Sequence, residues 1–325
     1  MQTLDELDEL EKLIAEAGSL VRVHELGVVG GRMKRRFPLL GLTFGSRDPS
    51  APTLGLFGGV HGLERIGSQA VLSFLHSLVE NLRWDAHTRA QLERVRVVAM
   101  PIVNPAGMFA QRRSNLAGVD LMRNAPVDAE EKTPLLLGGH RLTPKLPWYR
   151  GREGDAVQPE VEALMRFVRQ ELFPARSALS LDVHSGFGTQ DRLWYPYSKA
   201  STGFPRESEA RRLGALLDRT YPYHVYRIEK QSLGYTLHGD VWDHLFDAHR
   251  DQHGPGGPPW VPWTLEMGSW LWVRKNPRQL LRRAGPFNPG LPHRLRRVLR
   301  RHLLLFDFLL RAVENPDAWS GRANA

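Results

Sequence analysis

The chain of 325 residues has no cysteine. That excludes disulfides, thiolate metal sites and a cysteine nucleophile, so any metal here must sit on histidine, aspartate or glutamate. No apolar run approaches the roughly 20 residues that span a bilayer. The opening MQTLDELDELEKLIAEAG is acidic, with leucines at helical spacing, and lacks both a basic n-region and an apolar centre. As written it does not read as a secretory signal, and a cytoplasmic location is expected. A Gly-x-Ser-x-Gly elbow and a Gly-Lys-Ser/Thr phosphate loop are also missing, which argues against a serine hydrolase and a P-loop NTPase.

Positive charge is in excess by 9, but unevenly. Residues 271–325 hold 12 Lys and Arg against 3 Asp and Glu, leaving 32 of each sign in the other 270 residues. A nucleic-acid enzyme more often spreads basic charge over its working face. Confined to one end of the chain, it reads as a solvated or anion-facing surface, and no nucleic-acid partner is expected.

What is present is a succession of short apolar runs and helical patterns. Val21 to Val29 and Phe37 to Phe44 read as strands joined by the basic turn GGRMKRR, and Leu54 to Phe57 as a buried strand. A helix from Gly67 to about Leu82 leads to a further strand, Val95 to Ile102. Strand, helix, strand at this spacing is a βαβ unit and argues a mainly parallel sheet. Pro126 to Arg152 is irregular. Pro159 opens a helix to about Leu172, Ala178 to Val183 is a strand, and a helix covers roughly Pro205 to Tyr221. A Gly/Pro-rich loop, Gly254 to Pro262, precedes a last strand, Trp263 to Met267. The ends are helical: an acidic helix over about 3–17, and a basic one over about 291–313 with Leu295, Leu299, Leu303 and Phe306 on its apolar side. With no repeat and no linker, the expected fold is a single α/β domain over 1–325, a mixed, mainly parallel central sheet with helices on both faces.

Chemistry-bearing residues fall at strand ends. After Leu54 to Phe57 the chain breaks at Gly58-Gly59 and presents His61 and Glu64 in the spacing H-x-x-E. That spacing alone is weak, since thirteen histidines make about one such match expected by chance. His184 ends the strand beginning at Ala178, and a sheet would bring it to the other two. His61, Glu64 and His184 then form a His₂Glu set suited to Zn²⁺ with one open position. Asp182, on the same side of an extended strand, is a candidate acceptor for an imidazole N–H. Glu266 ends another strand, and a carboxylate there can act as general base and then acid. Arg113 and Arg123 flank the turn Leu116 to Asp120 and could polarise a carbonyl, grip a carboxylate or form surface ion pairs.

Five blocks in order resemble the zinc carboxypeptidases of the M14 family: GGVHGLE, the NPAGM turn, RSNLAGVDLMRN, DVHSGFG with WYPYSK after it, and GDVWDHLF through TLEMG. They span about Leu54 to Gly268, and the spacing between the arginines looks most like the short bacterial members such as murein-tripeptide amidases. The resemblance implies one zinc on His61, Glu64 and His184, with Glu266 as base. It also implies Arg113 at the oxyanion and Arg123 on the substrate's terminal carboxylate. The implied substrate is a peptide cleaved next to its free C-terminus. An alternative is deacylation of an N-acyl amino acid, as in the succinylglutamate desuccinylase and aspartoacylase branch. A further one is an inactive metal-binding protein that keeps the fold.

Two positions depart from the family. Its carboxylate-binding asparagine before the second arginine is Met122, and counting from Asp243 places its substrate-capping tyrosine at Phe246. Neither side chain can supply those polar contacts. His238, His244, His249 and His253 crowd into sixteen residues and could suggest a second metal, though loop histidines near a cleft more often hydrogen-bond or face solvent. Asp247 and Asp251 lie where the family selects its substrate side chain and could favour a basic one.

Overall fold

A computed structural model describes residues 4–30 and 35–321. Eight strands make one sheet: β1 (Val21–Gly30), β2 (Arg36–Gly45), β3 (Thr53–Gly58), β4 (Arg96–Met100), β5 (Ala178–Ser185), β6 (Arg192–Tyr195), β7 (Arg227–Lys230) and β8 (Trp260–Met267). Across the sheet they run β1-β2-β4-β3-β5-β8-β6-β7. The central strands β4, β3, β5 and β8 are parallel. The β1–β2, β2–β4 and β8–β6 pairs are antiparallel, and β7 is parallel to β6. Residues 31–34, most of the basic turn GGRMKRR, lie outside the described residues.

The helices are α1 (Asp5–Ala17), α2 (Arg65–Trp84), α3 (Ala86–Arg94), α4 (Pro105–Phe109), α5 (Pro159–Glu171), α6 (Glu207–Thr220), α7 (Val241–His253), α8 (Trp270–Lys275), α9 (Pro292–Glu314) and α10 (Asp317–Ser320). They cover both faces of the sheet. On β3, Gly58 lies against Gly67 of α2, whereas Gly55 sits under Leu172 at the end of α5 and Phe57 packs on Trp242 of α7 with centroids 4.8 Å apart. Alternation along a strand sends those two sets to opposite faces. Gly67 lets α2 approach the site strand closely, since a Cβ there would come within 2.2 Å of the Val183 carbonyl oxygen. The central strands are buried on both faces, as parallel strands under helices are. The fold is thus a single α/β unit around a mixed, mostly parallel sheet.

Two expected elements differ in detail. The last strand starts at Trp260 rather than Trp263, so Pro262 lies inside it, paired with Ser180. β6 pairs only with residues 264–266, so one side of β8 is unpaired at Pro262 and its missing N–H can face there without losing a ladder bond. On α9 the buried stripe runs through Val298, His302, Leu305, Phe306 and Leu309. Leu295, Leu299 and Leu303 are only its partly buried margin. Among the described residues no helix is long and apolar enough to cross a membrane.

Candidate metal centre and cleft

The segment between β3 and α2 carries His61 and Glu64, and its shape is imposed from three sides. Gly59 adopts φ +67°, where a Cβ would meet Ser68 Oγ at 2.3 Å, so the turn needs a glycine. Asn104, capping α4, donates from its backbone N–H to the Gly59 carbonyl (3.0 Å) and from Nδ2 to that of Val60 (3.2 Å). Asn288 accepts from the Ile66 N–H (2.9 Å) and donates to the Leu63 carbonyl (2.8 Å). The register between β5 and β8 pairs His184 with Glu266, which places both on one face of the sheet at its carboxyl edge.

Three donor groups converge there. His61 Nδ1 lies 3.0 Å from Glu64 Oε1, His184 Nδ1 lies 3.1 Å from Glu64 Oε2, and the two Nδ1 atoms are 3.2 Å apart. Each outer ring nitrogen is held by a carboxylate: His61 Nε2 by Asp120 (3.1 Å) and His184 Nε2 by Asp182 (2.7 Å). With Nε2–H donating to those carboxylates, both Nδ1 lone pairs point at the Glu64 oxygens and at each other, an arrangement that a cation between them relieves. A tetrahedral zinc with bonds of about 2.0–2.1 Å sets its ligand atoms roughly 3.3 Å apart. The donor set therefore fits Zn²⁺, and it is the only group of this kind among the described residues.

Charge agrees with geometry. Burial works against an ionised Glu64, yet His61 and His184 hold its carboxyl well below the usual range. Burial likewise opposes a charged His184, but Asp182 and Glu64 outweigh it and raise that imidazole well above its ordinary value. The spot stabilises positive charge. Glu64, Asp120 and Asp182 are 2% or less exposed, and with Glu266 they outnumber the guanidinium groups acting on them, Arg113 and Arg123, so a divalent cation would offset the surplus. Arg113 donates from Nε to Asp120 (2.9 Å) and from NH1 to Glu64 Oε1 (3.3 Å). Trp242 Nε1 donates to Asp182 at 2.8 Å, fixing the carboxylate that fixes His184. Burial pushes the Glu266 carboxyl up to about 7, and its Oε2 has no hydrogen-bond partner among the described residues.

These groups open onto a cleft of about 1190 Å³ lined by His61, His184, Glu266, Arg113, Arg123 and Met122, among others. Arg123 is only 5% exposed; among the described residues its Nε has no hydrogen-bond partner and its NH1 reaches no more than the Met122 carbonyl at 3.3 Å. Phe246 is not at the cleft. It lies on α7 in an aromatic cluster with Phe204 (4.7 Å), Tyr197 (5.9 Å) and Trp260 (6.2 Å), because α7 turns that face toward the core. The tyrosine that lines the cleft is Tyr235, before α7 rather than on it.

Asp247 is likewise occupied elsewhere, accepting from Tyr197 OH (2.6 Å) and Lys199 Nζ (2.7 Å), and neither it nor the exposed Asp251 lines the cleft. The four histidines do not converge on one point. His238 accepts from the Ala129 N–H, His244 meets Arg169, and His249 packs edge-on against Phe173 and Trp260 and beside His253. Sequence reasoning did not assign Asp120 to His61 or find Asn288 and Tyr235. Asp120 stood inside a noted block but 59 residues from its partner, and the other two carried no local signal.

Residues 7–253 match the sequence pattern of the zinc carboxypeptidase family. Carboxypeptidase SOL1 of Arabidopsis thaliana is 25% identical over 206 residues, 59% of this chain and 37% of that protein. Carboxypeptidase 2 of Trichophyton rubrum is 31% identical over 137 residues, 40% of this chain and 25% of that one. The chain thus spans well under two thirds of either relative's length. Bovine thrombin-activatable fibrinolysis inhibitor, solved in complex with tick carboxypeptidase inhibitor, superposes with a TM-score of 0.67 at 18% identity, over 96% of this chain and 97% of that one. That likeness shows a shared fold. The family pattern covers most of the chain and includes the segments that bring His61, Glu64 and His184 together, so the chain belongs to the zinc carboxypeptidase family.

Proposed function

We propose that the chain is a zinc-dependent peptidase that cleaves the last peptide bond of a substrate and releases the C-terminal residue with its free carboxylate. The observation that carries this reading is the convergence of His61, Glu64 and His184 beside Glu266 in a cleft that also holds the buried, unpaired Arg123. Zinc, held by those three ligands, would supply Lewis-acid chemistry for the scissile carbonyl and for water. Glu266, poorly hydrated and with a free Oε2, takes the proton of the attacking water and passes it to the leaving amine. Arg113, kept in place by Asp120 and Glu64, directs its guanidinium at the developing oxyanion. Asp120 and Asp240 act on the buried Arg123 guanidinium through space without forming an ion pair among the described residues, and a substrate carboxylate on Arg123 adds charge-assisted hydrogen bonds. Tyr235 brings a phenol to the same wall. A cleft of about 1190 Å³ is larger than an N-acyl amino acid fills, which favours a peptide over the deacylase alternative.

The test is mass spectrometry of a peptide incubated with zinc-loaded protein. Loss of single C-terminal residues is expected, with no cleavage of the C-terminally amidated peptide. Internal cleavage, or equal cleavage of both, overturns the reading. Metal analysis should give about one zinc per chain, with metal and activity lost together in His184→Ala. Full occupancy in that variant would remove His184 from the ligand set.

A further inference from the structure

We propose that the cleft selects peptides carrying acidic side chains near the C-terminus, a specificity that rests on the peptidase reading. Eight of the residues lining the cleft are Lys or Arg and three are Asp or Glu. Of those three acids, Asp120 and Glu266 belong to the metal centre. The third, Glu229, lies between Arg192 (3.0 Å) and Arg227 (2.6 Å), so that wall stays cationic after pairing. No acid is left over in the lining to receive a basic substrate side chain.

The rim adds to this. Arg112, Lys145 and Arg283 are exposed, line the cleft, and make no ion pair with another described residue. They come from the turn after α4, the irregular segment between Pro126 and Arg152, and the turns before α9, three stretches far apart in the chain. For Arg112 and Lys145 shortage of acid is no explanation, because residues 1–270 hold 32 residues of each charge, whereas Arg283 lies in the acid-poor stretch 271–325. Acids are spent elsewhere: Glu6 on Arg65, Glu314 on Arg94 and Asp128 on Arg150. A cleft lined by one sign of charge attracts the opposite sign and repels its own, with low-dielectric walls focusing the field. With the terminal carboxylate on Arg123, further carboxylates of the substrate meet the rim cations. Exposed pairs are individually weak, so each rim contact changes kcat/KM by about two- to fivefold, and three together by about tenfold or more.

The experiment uses three peptides of equal length whose last residues are Glu, Gln or Lys. The zinc-loaded protein should favour the Glu peptide over the Gln peptide by about tenfold or more in kcat/KM at low salt, with the Lys peptide poorest. Half-molar salt should shrink that ratio to within about threefold, because exposed charges are screened. Combining Arg112→Ser, Lys145→Ser and Arg283→Ser should collapse the Glu-to-Gln ratio and flatten its salt dependence. A binding arm measures fluorescence anisotropy of labelled Glu and Gln peptides with the zinc-loaded Glu266→Gln protein, which needs no turnover. Equal kcat/KM and equal binding for the two peptides, preference for Lys, or a ratio that survives the triple substitution each overturn the proposal. If no peptide is cleaved but the Glu peptide binds selectively and salt-dependently, the peptidase reading falls and the charge selectivity stands.

Discussion

Glu266 and Arg123 are ionisable groups held where water is scarce, and each takes its proposed role from that. Burial raises the Glu266 carboxyl to about 7, so it is protonated and inactive as a base below that range and competent above it. A cation bound alongside pulls the value down. The acid limb of kcat/KM should therefore have its midpoint at or below about pH 7, and Glu266→Gln should lower the rate by at least ~10²-fold with zinc content and fold unchanged. Near wild-type turnover in that variant would place the base elsewhere. Met122, buried beside Arg123 in the cleft, supplies no hydrogen bond to a carboxylate. Met122→Asn should lower KM for an unblocked peptide by ~10-fold, the worth of one charge-assisted contact, and leave an amidated peptide unchanged. The displacement of Phe246 into the core removes a reason to think this pocket apolar. Identical KM values for both proteins would show that position 122 does not face the substrate.

α9 binds the sheet through a stripe that includes a histidine. His302 is buried, shares a hydrogen bond between its Nδ1 and the Tyr226 hydroxyl (2.9 Å), and burial lowers its pKa to about 4, only partly opposed by Asp191. An imidazole depressed in the folded state binds fewer protons there than in the unfolded chain. Its contribution is present above about pH 6.5 and is lost as pH falls toward 4. By pH 5 the loss amounts to about 2 kcal/mol, or roughly 3 °C in Tm for a chain of this length. Thermal melts of wild type and His302→Gln at pH 7 and pH 5 should show a smaller acid shift in the variant. Equal shifts would mean that His302 does not titrate with unfolding. The position was legible as part of an amphipathic helix. Its burial was not, because a 3.6-residue period fixes the width of an apolar face but not which margin the neighbouring elements cover.

The metal ligands come from the β3–α2 segment and the end of β5, so zinc would tie together two parts of the sheet and bind the folded chain far better than the unfolded one. At a free-metal concentration 1,000 times the dissociation constant the gain is about 4 kcal/mol, equivalent to roughly 6 °C in Tm for 325 residues. Chelation should lower Tm by about that amount and zinc should restore it. His184→Ala should melt at the same temperature with and without chelator. A chelator effect that persists in the variant would point to a different metal site.

The sequence specified which residue types end the apolar runs. Gly58-Gly59 before His61, His184 after an apolar strand and Glu266 after another are local patterns, and strand ends in a parallel sheet converge whatever the loops between them do. Asp182 was legible as a candidate acceptor for an imidazole N–H, since two residues along a strand share a face, and the structure places it on His184. Partners remote in the chain were not. Asp120 reaches His61 across 59 residues, and Asn288 clamps the same turn from more than two hundred residues away. α7 turned Phe246 inward and left Tyr235 on the cleft wall. Charge shows the division most clearly: residues 1–270 are neutral by count, yet folding pairs acids with some arginines and gathers others around one opening. Composition is a sum over the chain, and the field at a site depends on where the charges stand.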